Sequence, residues 1–131
     1  MNRIRICGVR RGDRDQGQVA LEYIGFLPIL LLVALGGIQL GWSAYVVQQA
    51  QTAARAAARA EARDPGAGVA AGLQAISPSL AAGAEIEPTK TRDAVRMTVT
   101  LTIESIIPGM GDLPVTRSAV MPNDDPEVTG P

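Results

Sequence analysis

The chain has 131 residues, 47% of them hydrophobic, with 12 Lys and Arg, 13 Asp and Glu, and no His. This length allows at most one small domain beside a membrane helix, and the net charge of −1 argues against a nucleic-acid partner. The single Cys cannot form a disulfide within the chain, and without His no zinc site of the Cys and His type is possible.

Residues 1–17 form a short basic segment without a periodic apolar face. Five Arg and two Asp precede Gly17. By the positive-inside rule, this segment stays in the cytoplasm and the residues from about Gln48 onward lie outside the membrane. A secretory signal peptide is the alternative, but the apolar stretch that follows is longer than a usual h-region. We therefore interpret residues 1–17 as a cytoplasmic leader.

A long uncharged stretch follows the leader, because no charged residue lies between Tyr23 and Ala54. Thirteen of the residues in 24–47 are Leu, Ile, Val or Phe, and together they favour membrane insertion by roughly 4 to 8 kcal/mol. Tyr23 marks one end of the stretch and Trp42 and Tyr45 the other. At about 1.5 Å per helical residue these ends lie roughly 28 to 33 Å apart, which matches a bilayer. The pattern predicts a single transmembrane helix in contact with membrane lipid.

One acidic side chain lies at the start of this helix. Glu22 is five residues past Gly17, and an acidic side chain near the membrane is unfavourable unless it has a partner. If the chain were cut after Gly17, the new amine at Gln18 would be a cation at a similar depth. Glu22 of a neighbouring copy could pair with that amine, so cutting would create the partner that assembly needs.

This arrangement resembles the class III signal of type IV pilins and pseudopilins, in which the fifth residue of the mature chain is Glu. The pair of Glu22 and Tyr23 is similar to that of the tight-adherence (Tad) pilus branch. Residues 19–59 resemble the TadE-like family, with Glu, an apolar stretch containing Pro, a Gly and aromatic pair, and an Ala and Arg-rich helix. The chain departs from this pattern at Gln39, where many TadE-like proteins have an acidic residue.

The resemblance implies cleavage by a prepilin peptidase between Gly17 and Gln18, and assembly contacts through Glu22 and Tyr23. The implied partners are this peptidase and other pilin-like subunits or Tad assembly platform proteins. It implies a cytoplasmic-membrane protein, single-pass and incorporated in a surface pilus or its base. No cofactor, metal or small-molecule substrate is expected.

Three residues inside the span affect how the helix packs. Pro28 removes one backbone hydrogen bond and predicts a bend. Gly37 and Gly41 form a GxxxG pair, whose spacing lets a second helix approach closely. Since Gly is frequent in membrane helices in any case, helix packing at this pair is a hypothesis.

An Ala-rich extension with strong helix propensity continues the span to Arg63. Its Arg side chains recur every four residues as a basic stripe, at Arg55, Arg59 and Arg63. Its smooth face consists of Ala53, Ala57 and Ala60. The stripe is either a solvated face or a contact for anionic lipid head groups or a neighbouring subunit.

A short amphipathic helix is predicted next. Asp64 and Pro65 fit an N-cap followed by Pro at the first helical position. The apolar face at i, i+4 and i+7 consists of Val69, Leu73 and Ile76. Ser77 and Pro78 should end this helix.

The period then changes from helical to alternating. Residues 95–104 alternate apolar and polar side chains and predict the clearest strand. Residues 84–87 predict a shorter strand before it, and residues 113–121 a third after a turn-rich segment. The simplest fold is of the α+β class: a three-stranded antiparallel meander with the Val69 helix on its apolar face.

The sequence thus predicts four parts. Residues 1–17 are the leader, 18–63 the transmembrane helix with its extension, 64–121 a small extracytoplasmic α+β domain, and 122–131 an acidic, Pro-rich tail expected to be disordered. The acidic residues of the domain lie on polar faces or turns, where solvation accounts for them: Glu85, Glu87, Asp93 and Glu104. We therefore do not expect an enzyme.

Two functions remain at this stage. The first is a processed, pilin-like minor subunit of a Tad pilus. The second is an unprocessed single-pass anchor, whose external domain serves as an envelope or secretion-apparatus accessory protein. Glu22 discriminates between them, because only the first requires it to meet a new amine.

Overall fold

The structure is a computed structural model that describes residues 12–122, with side chains described from residue 17. The chain divides into two compact units, one ending at Gly37 and one beginning at Ile38. The helices are α1 (Gly12–Arg63), α2 (Gly68–Gln74) and α3 (Pro78–Ala81), and the strands are β1 (Glu85–Lys90), β2 (Ala94–Ile103) and β3 (Leu113–Pro122). Pro122, the first residue of the predicted disordered tail, is instead the last residue of β3, and the rest of that tail and most of the predicted leader lie outside the described residues.

The long N-terminal helix is confirmed and begins earlier than Gln18, at Gly12. It continues through Pro28 as helix. Among residues 12–122, one helix is apolar and long enough to cross a membrane. A stretch of 18 residues in this helix has a mean hydropathy of 2.2, and none of that stretch is buried. The core helix of a soluble protein would be covered by other elements, so an uncovered apolar surface of this length favours a membrane environment.

The three strands form the predicted antiparallel meander, in the order β1-β2-β3. β1 pairs with β2 from Glu85 opposite Thr100 onward, and β2 ends with Ile103 opposite Leu113. The alternation in β2 corresponds to two faces, since its five larger apolar side chains are buried and Arg96 is exposed. The predicted α+β class and the strand topology are therefore confirmed.

The apolar face of β2 packs against α1. The predicted contact between the Val69 helix and the sheet is present at the edge strand β1, where a Cβ added at Gly72 would lie 2.7 Å from the side chain of Ile86. The buried β2 side chains are Val95, Met97, Val99, Leu101 and Ile103. The α1 side chains in contact with them are Val46, Ala50, Ala53, Ala54, Ala57 and Ala58. These positions recur every three or four residues, so they line one helix face, and their small size lets the sheet approach closely. The Ala-rich extension is thus part of the domain core.

The basic stripe lies away from this core, because Arg55, Arg59 and Arg63 are all exposed. The predicted smooth face is partly correct. Ala53 and Ala57 are fully buried, whereas Ala60 is only half-buried. The buried stripe instead includes the neighbouring Ala residues at the i+4 spacing, because the sheet covers a face wider than one row of side chains.

The second helix begins later than predicted. Asp64 and Pro65 lie in a turn, α2 starts at Gly68, and its N-cap Ala67 makes no side-chain cap. The reason is tertiary, because the carboxylate of Glu61 on α1 accepts the N–H of Gly68 and replaces a local cap.

The buried face of α2 also differs from the prediction. Gly68 and Gly72 are buried, whereas Val69 is 39% exposed. An added Cβ at Gly72 would lie 3.1 Å from the Cβ of Ala57, so the absence of a side chain permits close approach to α1. Ile76 follows the helix and is buried as expected. The short helix α3 was not predicted.

Candidate functional site

One continuous face of α1 carries the predicted assembly residues. A shallow groove on it is lined by Val19, Glu22, Tyr23, Phe26 and Leu30. Their spacing of three and four residues places them on one side of the helix. All five are exposed, including Tyr23 at 69% and Phe26 at 54%. The structure therefore brings Glu22 and Tyr23 together on an apolar surface that no described element covers.

This face presents a carboxylate beside aromatic and aliphatic groups. The ion pair that the structure records among its described residues joins Lys90 and Glu61, and Glu22 takes no part in it. In a bilayer such a carboxylate needs a cation or hydrogen-bond donor from another molecule. The arrangement suits lateral contact with a second helix that brings a positive group.

The predicted processing residues lie within helical backbone. Gly17 and Gln18 are both exposed, and no atom of the described chain lies within 4 Å of a Cβ added at Gly17. A Gly inside a helix is less favourable than Ala by about 1 kcal/mol, so the helix is locally weak at this bond. Both residues of the predicted cleavage site are thus exposed among the side chains that the structure describes.

The predicted helix-packing residues are also uncovered. A Cβ added at Gly37 or at Gly41 meets no described atom within 4 Å. Close approach to another part of this chain therefore does not account for these glycines. The space beside each of them is open to a second helix.

Gln39 departs from the family pattern in sequence, and in the structure its side chain is buried. It is 8% exposed. Its Oε1 accepts the N–H of Ile106 at 2.9 Å, and its Nε2 donates to the carbonyl of Glu104 at 3.4 Å. An amide can make both bonds, whereas a carboxylate accepts only. The sequence signal was that Gln39 is the one side chain with an amide or charge in residues 24–47.

Trp42, one turn further along α1, packs partly buried against the cluster around Val46. Its ring lies 5.5 Å from that of Tyr45, tilted by 30°. The predicted outer end of the span therefore overlaps with the folded domain. Nearby on α1, Ile38 is 59% exposed, whereas Gln39 is 8% exposed.

Glu61 is a second buried polar group that sequence reasoning missed. It is 3% exposed, and its Oε1 lies 2.8 Å from Nζ of Lys90 on β1. It also accepts the N–H of Gly66 at 3.0 Å and of Gly68 at 2.9 Å. One carboxylate therefore connects α1, the start of α2 and the edge strand. The available signal was that Glu61 is the one acid in the Ala-rich extension.

The environment of Glu61 has two opposing effects on its ionisation. Burial raises the pKa of the carboxyl, but the hydrogen bonds from Lys90, Gly66 and Gly68 outweigh it. The net result is a pKa below the ordinary value of a Glu side chain. Glu61 is thus ionised, and its carboxylate oxygens contact Lys90, Gly66 and Gly68. These contacts give the side chain a structural role.

The part of the chain that the structure describes contains no group of three or more His, Cys, Asp or Glu side chains that could hold a metal ion. The candidate functional surface is the exposed α1 face around Glu22. The Ala-rich part of the same helix packs in the domain core.

The family model for TadE-like protein matches residues 17–59. Its match begins at Gly17 and covers both Glu22 and the Ala-rich extension up to Arg59. No curated protein and no solved structure matches the chain. The resemblance inferred from the residues is thus confirmed as a match to the TadE-like family over residues 17–59.

Proposed function

We propose that this protein is a pilin-like subunit associated with a Tad pilus, inserted in the cytoplasmic membrane and cut after Gly17 by a prepilin peptidase. The observation that carries the proposal is the TadE-like match, which starts at Gly17 and leaves the basic leader outside. The uncovered α1 face with Glu22 supports it, because that face requires a partner. In this proposal the N-terminus of the precursor is cytoplasmic and the sheet domain is extracytoplasmic.

The length of the uncovered helix agrees with this proposal. From Gln18 to Ile38 the helix rises about 30 Å, at about 1.5 Å per residue, which is the thickness of the hydrocarbon core of a bilayer. The polar amide of Gln39 then enters the domain directly outside the membrane. Glu22 would lie about 6 Å inside the opposite boundary, one helical turn from the new N-terminus.

The free energy of the proposed contact is large enough to direct assembly. Two unit charges 4 Å apart attract by about 4 kcal/mol at the effective dielectric constant of a protein surface, and less after desolvation. A mature chain supplies both charges, the amine at Gln18 and the carboxylate of Glu22. Each copy can therefore contact one neighbour with its amine and another with its carboxylate.

We further propose a minor subunit. Residues 64–122 complete a folded domain together with the extension of α1. This domain is longer than the short major pilins of the Tad branch. The sequence resembles those pilins at its N-terminal helix. A structural rather than enzymatic role follows from a surface made of one carboxylate and apolar side chains.

The first test is the N-terminus of the membrane-extracted protein, read by sequencing or intact mass. We expect the mature chain to begin at Gln18, and replacing Gly17 by Leu should abolish this start. A chain that retains Met1 would contradict the proposal and favour the unprocessed anchor. A start within the Ala-rich region would favour secretion.

The second test separates assembly from processing. Glu22→Ala should leave the protein in the membrane but strongly reduce the number of surface fibres. The control is Glu104→Gln, which changes an exposed acidic residue of the domain. If Glu22→Ala cells trim the precursor and display fibres in normal number, the role given to Glu22 is wrong.

Helix packing at Gly37 and Gly41 is a separate part of the proposal. Replacing both by Leu should weaken association in a membrane two-hybrid assay, because bulky side chains keep helix backbones apart. Replacing Gly25 by Leu is the matched control, since Gly25 is also exposed on α1, has open space beside it, and lies on a different face of the helix from the GxxxG pair. Equal association of all three proteins would remove this contact.

A further inference from the structure

The connection between β2 and β3, residues 104–112, carries exposed apolar side chains beside its turn-forming residues. Connections usually expose polar and turn-forming residues. This one exposes Ile106 at 47% and Met110 at 48%, and Leu113 at the start of β3 is 54% exposed. These three side chains form an apolar tip on the domain.

The backbone of the tip is held in one conformation. The N–H of Met110 donates to the carbonyl of Ile107 at 3.2 Å, and Gly109 at φ 87° completes the turn. Asp112 accepts the N–H of Ser105 at 3.1 Å across the base of the connection. The apolar side chains are therefore displayed by an ordered turn.

Gln39 fixes where along α1 this tip lies. Its hydrogen bonds to Ile106 and Glu104 join the connection to the helix. The helix residues on either side of Gln39 are Ile38 and Leu40, which are 59% and 73% exposed. The tip thus lies at the level where the uncovered apolar surface of α1 meets the domain.

We propose that residues 105–113 are a second membrane-contacting element, which places Ile106, Met110 and Leu113 among the lipids of the leaflet next to the domain. The occupant is a phospholipid surface, because the tip is joined to α1 at Gln39, between the exposed apolar side chains of Ile38 and Leu40. Residues 104–112 contain no Lys or Arg and two acids, Glu104 and Asp112, so the proposed contact is made by the apolar side chains and not by attraction to anionic head groups.

Such a contact would restrain the domain at two points, the helix and the tip. The buried amide of Gln39 would be shielded from lipid, because the tip covers it with backbone partners. The proposal requires that α1 crosses the membrane, and it holds whether or not the chain is cut after Gly17.

The experiment uses the full chain reconstituted in phosphatidylcholine vesicles, with Cys7 replaced by Ser and one new Cys carrying an environment-sensitive fluorophore. The tested position is Met110→Cys. Leu30→Cys reports insertion of the span, and Arg92→Cys lies in the exposed turn at the opposite end of the sheet. Nitroxide-labelled lipid and aqueous iodide are the two quenchers.

We expect the Met110 label to lose much of its emission with nitroxide lipid and to be protected from iodide, as the Leu30 label should be. The Arg92 label should behave in the opposite way. Adding phosphatidylglycerol should change neither result, and a requirement for it would overturn apolar insertion.

Other outcomes overturn the proposal in distinguishable ways. If only the Leu30 label is quenched by lipid, the tip is outside the membrane and the proposal fails while membrane insertion stands. If the Met110 label is protected from both quenchers, protein covers the tip, as in a complex of two copies. If the Leu30 label is accessible to iodide, membrane insertion and the tip contact both fail.

Discussion

Replacing Glu61 by Ala should strongly destabilise the domain. The substitution removes the acceptor of the buried Gly68 N–H, and a hydrogen bond to a charged group is worth about 1.5 to 3 kcal/mol. The Gly66 N–H is exposed and can bind water instead. The ion pair adds at most about 1 kcal/mol, because the side chain of Lys90 is 45% exposed. We expect a total loss of about 2 to 4 kcal/mol.

The assay is thermal unfolding of the full chain in detergent micelles, followed by fluorescence. Trp42 is the single Trp of the chain and packs against the domain core, so its emission reports domain unfolding. A loss of about 3 kcal/mol should lower the melting temperature by roughly 10 to 20 °C for a domain of this size. Glu61→Gln keeps an acceptor oxygen and should lose only about 1 to 2 kcal/mol.

The pH dependence gives an independent check. Because the folded pKa of Glu61 is below its ordinary value of 4.5, its contribution to stability is fully present above pH 4.5. That contribution is lost as the pH falls through the lowered folded pKa, when the carboxylate is protonated. In Glu61→Gln the same acid-side loss should be smaller, since the group that titrates is absent.

The control variants separate the hydrogen bonds from the charge. Lys90→Ala should cost no more than about 1 kcal/mol, and Glu85→Ala, an exposed acid on the same strand, should stay within about 0.5 kcal/mol of the native protein. A melting temperature for Glu61→Ala equal to that of Glu85→Ala would refute the reasoning, because the buried N–H group would then have no need of the carboxylate.

Three further predictions concern α1 and its contacts. Gln39→Glu should lower stability by about 1 to 3 kcal/mol near neutral pH, because a carboxylate cannot donate to the carbonyl of Glu104, and unfolding curves at lower pH should show partial recovery once the acid is protonated. Gly68→Ala should lower stability by about 1 to 3 kcal/mol, since its Cβ would lie 2.9 Å from a backbone oxygen. Gly72→Ala should be milder, because its closest contact is the flexible end of Ile86 and Ala gains about 1 kcal/mol in helix propensity. Equal melting temperatures for Gly68→Ala and Gly83→Ala, an open site, would contradict the close packing.

The strands illustrate what can be read without a structure. The alternation in residues 95–104 predicts one buried and one polar face, and β2 has both. Pairing follows from short connections between consecutive strands, which leave an antiparallel meander as the simple solution. The uncharged run after Tyr23 likewise predicts a long uncovered helix, and that helix is present. The alternation and the uncharged run are both local sequence patterns, and each determines one element.

The partner of each element was harder to predict. Val69 and Leu73 form the larger apolar face of α2, so periodicity placed that helix on the sheet. That helix contacts the edge strand β1, whereas the buried face of β2 packs on the Ala side chains of α1, because small residues on a long helix give a flat surface over the whole length of β2. Ala side chains contribute little to a hydropathy pattern. Their role in packing becomes clear only when the sheet surface opposite them is known.

The sequence by itself determined the elements of this protein: a long apolar helix with Glu22 near its start, a short helix, and three strands whose faces follow from a period of two. Tertiary structure alone decided which faces meet, where α2 begins, and why Gln39 and Glu61 are buried. The physical reason is that a helix cap or a buried amide needs hydrogen-bond partners. Here those partners come from residues such as Ile106, which lies 67 positions away from Gln39.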